Sequence, residues 1–371
     1  MSLGIQTVAA VEPDSPVLQR WRDQIRAAGA ENRTLAISGA GSKSFYGLPV
    51  DGEVLDTREY QGIIGYEPTE LVMTARCGTP LSEIEATLAA NGQMLAFEPP
   101  RFGRSPTIGG VVATGLSGPR RMAAGAVRDF VLGVRLLNGA GDLLGFGGQV
   151  MKNVAGYDVS RMLTGSLGCF GVIAEVSLKV VPKSRQETTL QLSLSEPEAL
   201  ARLNGWAGQP LPISGSLWLD GTLTVRLSGA EAAVDAARRK LGGDVLDNGQ
   251  AESLWTGVRD QSHRFFAEEG AALIRLSLPD TAAPIALSEP QLIEWSGAQR
   301  WCRADIGQLQ QIRALAASAG GHATLFRTPP GHGASHVFTP LSKPLLRIHR
   351  ALKQSFDPAG VFNRGRMYPE F

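Results

Sequence analysis

Cysteine and histidine are both scarce in this chain, and their scarcity narrows its chemistry. Of 371 residues, three are cysteine and five are histidine. Cys77, Cys169 and Cys302 form no C-x-x-C pair, so the chain alone holds neither an iron–sulfur cluster nor a zinc site. So few thiols suit a reducing compartment, and a cytoplasmic location is expected. His332 and His336 are spaced like a metal pair on a helix, but Pro329, Pro330, Gly331 and Gly333 argue against a helix there, so no metal site is expected. No apolar stretch approaches the ~18 residues of a membrane span. The opening Met1-Ser2-Leu3-Gly4-Ile5-Gln6 has neither a basic n-region nor an apolar h-region, so no secretory signal is expected. A net charge of +1 supplies no bulk field for nucleic acid or an anionic membrane.

What is abundant is glycine, 44 residues against 6% aromatics, which suits backbone packed against a large ligand. Length and a 43% hydrophobic content indicate a globular protein with two domains' worth of chain. The sharpest local signal is Leu35-Ala36-Ile37 running into Ser38-Gly39-Ala40-Gly41-Ser42-Lys43, a short strand followed by a tight loop of small residues. Such a loop turns successive N–H groups toward an anion, because glycine tolerates positive φ and has no Cβ to block approach. A Walker A loop requires glycine before the lysine, where Ser42 stands. A Rossmann fingerprint requires a third glycine where Ser44 stands, and Phe45-Tyr46-Gly47-Leu48-Pro49 opens no helix. On its own the loop remains either a phosphate cradle or a surface turn.

Further segments decide between these. They are Thr107-Ile108-Gly109-Gly110-Val111-Val112-Ala113-Thr114, Gly125-Ala126-Val127-Arg128-Asp129-Phe130-Val131-Leu132-Gly133, and Gly165-Ser166-Leu167-Gly168-Cys169-Phe170-Gly171-Val172-Ile173. In this order they resemble the FAD-binding flavoproteins of the vanillyl-alcohol oxidase / PCMH type. The run Lys152-Asn153-Val154-Ala155-Gly156-Tyr157-Asp158 and the closing Phe356-Asp357-Pro358-Ala359-Gly360-Val361-Phe362-Asn363 resemble the glycolate-oxidase branch. Arg364 departs from the proline usual in that tail.

The resemblance implies an α+β fold: a PCMH-type FAD-binding domain over 1–183, a ferredoxin-like cap over 184–338, and a C-terminal helix and tail over 339–371 that return to the FAD domain. Local signals agree. Ser15 and Pro16 read as the start of a helix stopped at Gly29, and Pro80 as the start of one carrying Leu81, Ile84 and Leu88. Alternation over 174–180 reads as a half-buried strand. Residues 190–246 read β-α-β-β-α-β, with a hairpin at Asp220-Gly221. A loop is expected over 281–290, helices over 306–319 and 343–356, and a strand over 323–326.

By the same resemblance, Gly39, Ala40, Gly41, Ser42 and Lys43 meet the FAD pyrophosphate. Thr107, Ile108, Gly109, Gly110, Thr114, Ser117 and Gly118 form a loop along the flavin and ribityl chain. Gly168 and Ile173 meet the adenine end or the flavin edge. Lys43 stays open between a phosphate contact and a solvated lysine. With no histidine before His263, and neither Cys77 nor Cys169 in the attachment loop, the FAD is expected to be non-covalent.

Catalysis is less legible. Oxidising a 2-hydroxy acid takes a cation for the carboxylate and a base for the hydroxyl proton. The catalytic relatives carry a His-x-Gly-Asp-Gly-Asn-x-His-like cluster; Gly321-His322-Ala323-Thr324-Leu325-Phe326-Arg327 keeps one histidine of it. His322 and Arg327 are the remaining substrate-side candidates. The implied role is the FAD-binding subunit of a heteromeric glycolate oxidase. It would oxidise glycolate or D-lactate beside a related catalytic flavoprotein subunit, with electrons passing to an iron–sulfur subunit and the complex free or peripheral on the inner membrane. A self-sufficient 2-hydroxyacid or sugar-acid oxidoreductase, and a scaffold whose FAD is structural or absent, stay open.

Overall fold

The structure, a computed structural model, describes residues 15–103, 105–148, 158–267, 270–329, 331–333 and 336–371. The Lys152–Tyr157 part of the branch signature lies outside them. Helix α1 (Pro16–Ala30) is followed by strands β1 (Leu35–Ser38), β2 (Glu53–Asp56), β3 (Ile63–Glu67) and β4 (Val72–Arg76). Helix α2 (Leu81–Ala90), strand β5 (Gln93–Met94) and the short helices α3 (Ile108–Thr114), α4 (Arg121–Ala124) and α5 (Val127–Phe130) come next. Strands β6 (Val131–Leu137) and β7 (Leu143–Gly147), helix α6 (Val159–Leu163), and strands β8 (Val172–Lys179) and β9 (Val181–Pro182) complete this part.

Strands β1 and β2 form a parallel pair, while β3-β4-β8-β6-β7 form a five-stranded sheet. Helix α2 lays the expected Leu81, Ile84 and Leu88 into the sheet's core, each fully buried. Helix α1 buries Leu18, Trp21 and Ile25, but it is fixed by Pro16 alone: Ser15 makes no side-chain cap. It also runs past Gly29, which faces Ala359 and Val361 of the tail instead of ending the helix.

The half-buried reading of 174–180 is corrected. Strand β8 is central, with β4 on one side and β6 on the other, so its polar residues are buried as well. They are tolerated because they are paired. Glu175 accepts from Tyr60 at 2.7 Å and from Arg135 at 3.1 Å, and Ser177 bonds Thr74 at 2.8 Å.

The second sheet begins with β10 (Gln186–Ser193), α7 (Glu196–Ala207), β11 (Ile213–Leu219), β12 (Thr222–Gly229), α8 (Glu231–Leu241) and β13 (Asp244–Val245). Their spatial order, β13-β10-β12-β11, is that of a ferredoxin-like unit. Asp220 and Gly221 take φ of 49° and 78°, the paired positive values of a type I′ hairpin.

The sheet then continues through β15-β16-β14-β17, built from β14 (Ala272–Ser277), β15 (Gln291–Glu294), β16 (Gln299–Ala304) and β17 (His322–Arg327). Of these, only β17 was legible in the sequence. The others bury Arg275 in part and Glu294, Gln299 and Arg300 almost fully, which breaks the apolar alternation that marks a strand. Helix α9 (Asn248–Arg259) and the short α10 (Arg264–Ala267) also went unread, although Asp247 caps α9 through Gly249 N and Gln250 N. The 306–319 helix begins as a 3-10 turn at Ile306–Gln308 and becomes α11 (Leu309–Ser318).

Helix α12 (Lys343–Phe356) leads the tail back against the first part. Leu35 N donates to Val361 O at 2.8 Å, and Asn363 N to Leu35 O at 3.0 Å. Arg364, the residue in place of proline, donates to Asn32 Oδ1 at 2.8 Å and Ala359 O at 3.0 Å, tying the tail to the end of α1.

Candidate flavin-binding cleft

Strand β1 ends at Ser38, where the chain needs no further ladder partner and turns. The N–H groups of Gly39, Ala40, Gly41, Ser42 and Lys43 that follow have no acceptor among the described residues. The loop from Gly39 to Ser42 is half-exposed, so these donors can serve water or an anion in the cleft. Together with α3 and the Leu167–Ile173 segment it lines a cleft of about 260 Å³, near the lower end of the ~300–1,000 Å³ usual for ligand sites.

The opposite wall is not the loop expected from the sequence. Thr107 caps helix α3 through Gly110 N at 3.3 Å, while Ile108 N and Gly109 N donate to Thr79 O and Cys77 O, both at 2.9 Å. Close packing explains the glycines: a Cβ on Gly109 would stand 2.6 Å from Cys77 Cβ, and one on Gly39 2.5 Å from Thr107 Oγ1. Thr107, Gly109, Gly110 and Thr114 line the cleft, as do Gly168 and Ile173.

Three of the named residues do not. Ile108 is fully buried in the core under α3. Ser117 accepts from Val127 N at 3.3 Å, and Gly118 O accepts from Trp295 Nε1 at 3.1 Å. Beyond Gly115, in left-handed conformation at the end of α3, the chain has left the cleft. Ser117 and Gly118 instead line a small cavity against the second sheet.

Lys43 is buried rather than solvated, 6% exposed. Its ammonium lies 3.3 Å from Ser42 Oγ and 5.6 Å from the Phe102 ring centre. Burial pulls its pKa from 10.5 down to about 8, opposed by the Asp260 charge. No carboxylate is in contact with this ammonium among the described residues, so an anion in the cleft would favour its charged form.

The tail contributes residues for which the sequence offered little. Asn363 accepts from Ile37 N at 2.9 Å and donates to Leu167 O at 2.6 Å, joining both walls of the cleft. Arg366 donates to Ser44 O, Tyr46 O and Leu48 O at 3.0–3.1 Å, bracing the turn after the glycine loop. Asn363 stood in the quoted tail motif, but Arg366 carried no signal because its partners are main-chain carbonyls.

His322 and Arg327 are not brought together. They occupy opposite ends of the edge strand β17, with His322 exposed at its start. Arg327 lies 5.1 Å from the Phe45 ring centre and 5.6 Å from that of Phe102. The buried polar side chains of this region are others. Glu294 accepts from Trp301 Nε1 at 2.7 Å and Gln299 Nε2 at 3.0 Å, and burial pushes its carboxyl up to about 7. With Arg275, Phe326 and Trp301 it encloses a cavity of about 20 Å³, the size for a water.

This fold and cleft define a flavoprotein: residues 13–147 match the family described as FAD binding domain. Alkyldihydroxyacetonephosphate synthase has the same fold, with a TM-score of 0.63 at 14% identity over 94% of this chain and 75% of that one. The glycolate oxidase subunit GlcE of Escherichia coli K12 is 49% identical over 352 residues, 95% of this chain and 97% of the relative. This chain belongs to the FAD-binding family of which that subunit is a member. The glycolate oxidase subunit GlcD of Bacillus subtilis is 29% identical over 196 residues, 51% of this chain and 42% of the relative.

The residues present fit FAD. N–H groups without an acceptor among the described residues and a buried ammonium match a pyrophosphate, and the small residues of β1 and α3 leave room for an extended ligand. No described helix is long and apolar enough to cross a membrane.

Proposed function

We propose that this chain is the FAD-holding subunit of a heteromeric glycolate oxidase, acting on glycolate or D-lactate with a related catalytic flavoprotein subunit. An iron–sulfur subunit of the same complex, in the cytoplasm or on the inner face of the membrane, takes the electrons onward. The observation that carries the reading is the N–H run from Gly39 to Lys43 at the head of the cleft, without an acceptor among the described residues, in a chain 49% identical to a glycolate oxidase subunit.

Bound FAD supplies two-electron redox chemistry. The chain's own residues bind and orient. Gly39 to Ser42 direct N–H groups at the pyrophosphate, and Lys43 neutralises part of its charge. Thr107, Gly109 and Gly110 keep backbone at contact distance along the cofactor, while Asn363 and Arg366 hold the two walls in register. In this reading 1–183 with 339–371 hold the flavin, and 184–338 form the cap domain beside them.

A substrate site in the lone chain has little support. The cavity between Gly118 and the second sheet is water-sized and lined by Phe102, Phe326 and Trp301, with Trp301 and Phe326 rings 4.8 Å apart. The wider recess of about 420 Å³ on that sheet has its arginines already paired, Arg226 with Glu98 at 2.9 Å and Arg259 with Asp260 at 2.7 Å, so neither is free for a substrate carboxylate, which favours oxidation in a partner over a self-sufficient enzyme. Anaerobic addition of glycolate or D-lactate tests this. The yellow isolated chain is expected to keep its flavin absorption, and the assembled complex to bleach. Bleaching of the lone chain would establish self-sufficiency, and a chain that takes up no FAD would be a scaffold.

A further inference from the structure

The first part of the chain and the second sheet meet along a seam where the backbone is contorted. Glu98, Phe102, Gln261 and Trp295 take φ of 46°, 51°, 54° and 52°. Side chains of this size adopt left-handed backbone only where their surroundings hold them there. Phe102 packs on Phe326 with ring centres 6.3 Å apart, and Trp295 Nε1 donates to Gly118 O at 3.1 Å, so both contacts cross the seam. Gln261 lines the small cavity beside Gly118.

Glu98 joins the two sides by charge. Its carboxylate accepts from Arg120 N at 2.8 Å and lies 2.9 Å from Arg226 Nη2, while Arg120 also pairs with Glu187. Glu98 and Arg120 belong to the first part; Arg226 and Glu187 stand on the neighbouring strands β12 and β10. Arg226, Glu98, Arg120 and Glu187 thus form an unbroken chain of alternating charge, and two of its pairs cross the seam. Pairs of this kind add little net stability, because desolvation offsets their attraction, but breaking one strands a buried charge. They select one placement of the sheet: a slide by one residue would leave Arg120 and Arg226 buried and unpaired. Placement matters at the cleft, because Phe102, between Phe45 and Phe326, lies against the Lys43 ammonium.

We propose that Glu98 is a positioning residue: its carboxylate seats the second sheet on the first part in the placement that the FAD cleft needs, and its left-handed backbone is retained for that contact. The joint lies within the chain and is independent of the subunit reading.

The test reads the seam in the free full-length chain by hydrogen exchange of tryptophan indoles. The Trp295 indole is bonded across the seam, whereas Trp218 Nε1 donates to Leu194 O at 2.9 Å inside the ferredoxin-like unit. Glu98→Gln and, separately, Arg226→Met are expected to speed Trp295 exchange at least about ten-fold and to leave Trp218 within about two-fold, as for local opening after loss of one partner of a buried pair. The double variant should be little worse than either single one, because both remove the same interaction. The FAD dissociation constant should rise several-fold in each. Glu98→Gly relieves the backbone but removes the carboxylate, so it should open the seam as Glu98→Gln does. The Glu187 side chain is 42% exposed and tolerates change, so Glu187→Gln should act in the same direction even if the buried variants fail to fold.

Unchanged Trp295 protection in Glu98→Gln and Glu187→Gln would overturn the proposal. Equal acceleration at Trp295 and Trp218, the mark of a general loss of stability, would do so too. So would a Glu98→Gly chain that protects Trp295 and binds FAD as the wild type does.

Discussion

The Lys353 ammonium lies 2.7 Å from Asp357 Oδ2, and both side chains are almost wholly buried. The same ammonium donates to Cys169 O and Phe362 O at 2.7 Å, and Asp357 accepts from Val361 N and Phe362 N at 2.8 Å. This knot sets the tail that carries Asn363 and Arg366. Removing one member strands the other charge: Lys353→Met should cost about 3–5 kcal/mol in urea unfolding. Flavin content should fall as well, and Asp357→Asn in the same chain should restore part of the stability.

Gly168 sits at φ 74°, and a Cβ there would stand 2.7 Å from Asn363 Nδ2. Gly168→Ala should cost about 1–2 kcal/mol for the left-handed backbone alone. It should also displace the Asn363 bridge, so the FAD dissociation constant is expected to rise more than the melting temperature falls. Flavin fluorescence titration beside thermal unfolding separates the two.

Lys43 should make FAD binding pH-dependent. Its folded pKa of about 8 lies below the ordinary 10.5. The burial penalty is therefore full below about 8 and fades as pH rises toward 10.5, so the free protein gains stability across that window. A phosphate beside the ammonium restores its charge. FAD affinity is thus expected to be highest below about pH 8 and to decline above it, and Lys43→Met should lower the affinity and flatten the dependence.

Glu294 has the opposite sign. Its carboxyl is raised from 4.5 to about 7 by burial, so its contribution to stability is complete below 4.5 and is lost as pH rises to about 7. Glu294→Gln keeps an acceptor for Trp301 and removes the buried charge. It should raise the melting temperature at about pH 8, by ~2–4 °C for each kcal/mol recovered, and change it little at about pH 4.

The flavin should leave with denaturation. Cys77 lines the cleft, but burial holds its thiol near 12, so it is not a nucleophile for covalent attachment. Acid precipitation should release all of the FAD into the supernatant, and Cys77→Ser should leave flavin content unchanged. Flavin retained in the pellet would contradict the non-covalent reading.

The local motifs were readable because they depend on neighbours in sequence. The glycine loop, the hairpin at Asp220-Gly221, helices α2 and α12 and the β-α-β-β-α-β order all follow from backbone freedom, turn chemistry and apolar period. The cleft itself was half legible. Gly39 to Lys43 and the Thr107 motif announced it, but whether the latter was loop or helix depended on Cys77 and Thr79, whose carbonyls take the N–H groups of Gly109 and Ile108.

What only the tertiary structure decided is where long-range partners let polar residues go inside. Glu175 is buried because Tyr60 and Arg135 reach it. Glu294 and Gln299 sit in strands that composition disguises, and Asn363 arrives from the far end of the chain to join Ile37 and Leu167. A sequence determines local propensity directly. The pairing that makes a buried carboxylate or a distant asparagine affordable exists only once the chain has closed on itself.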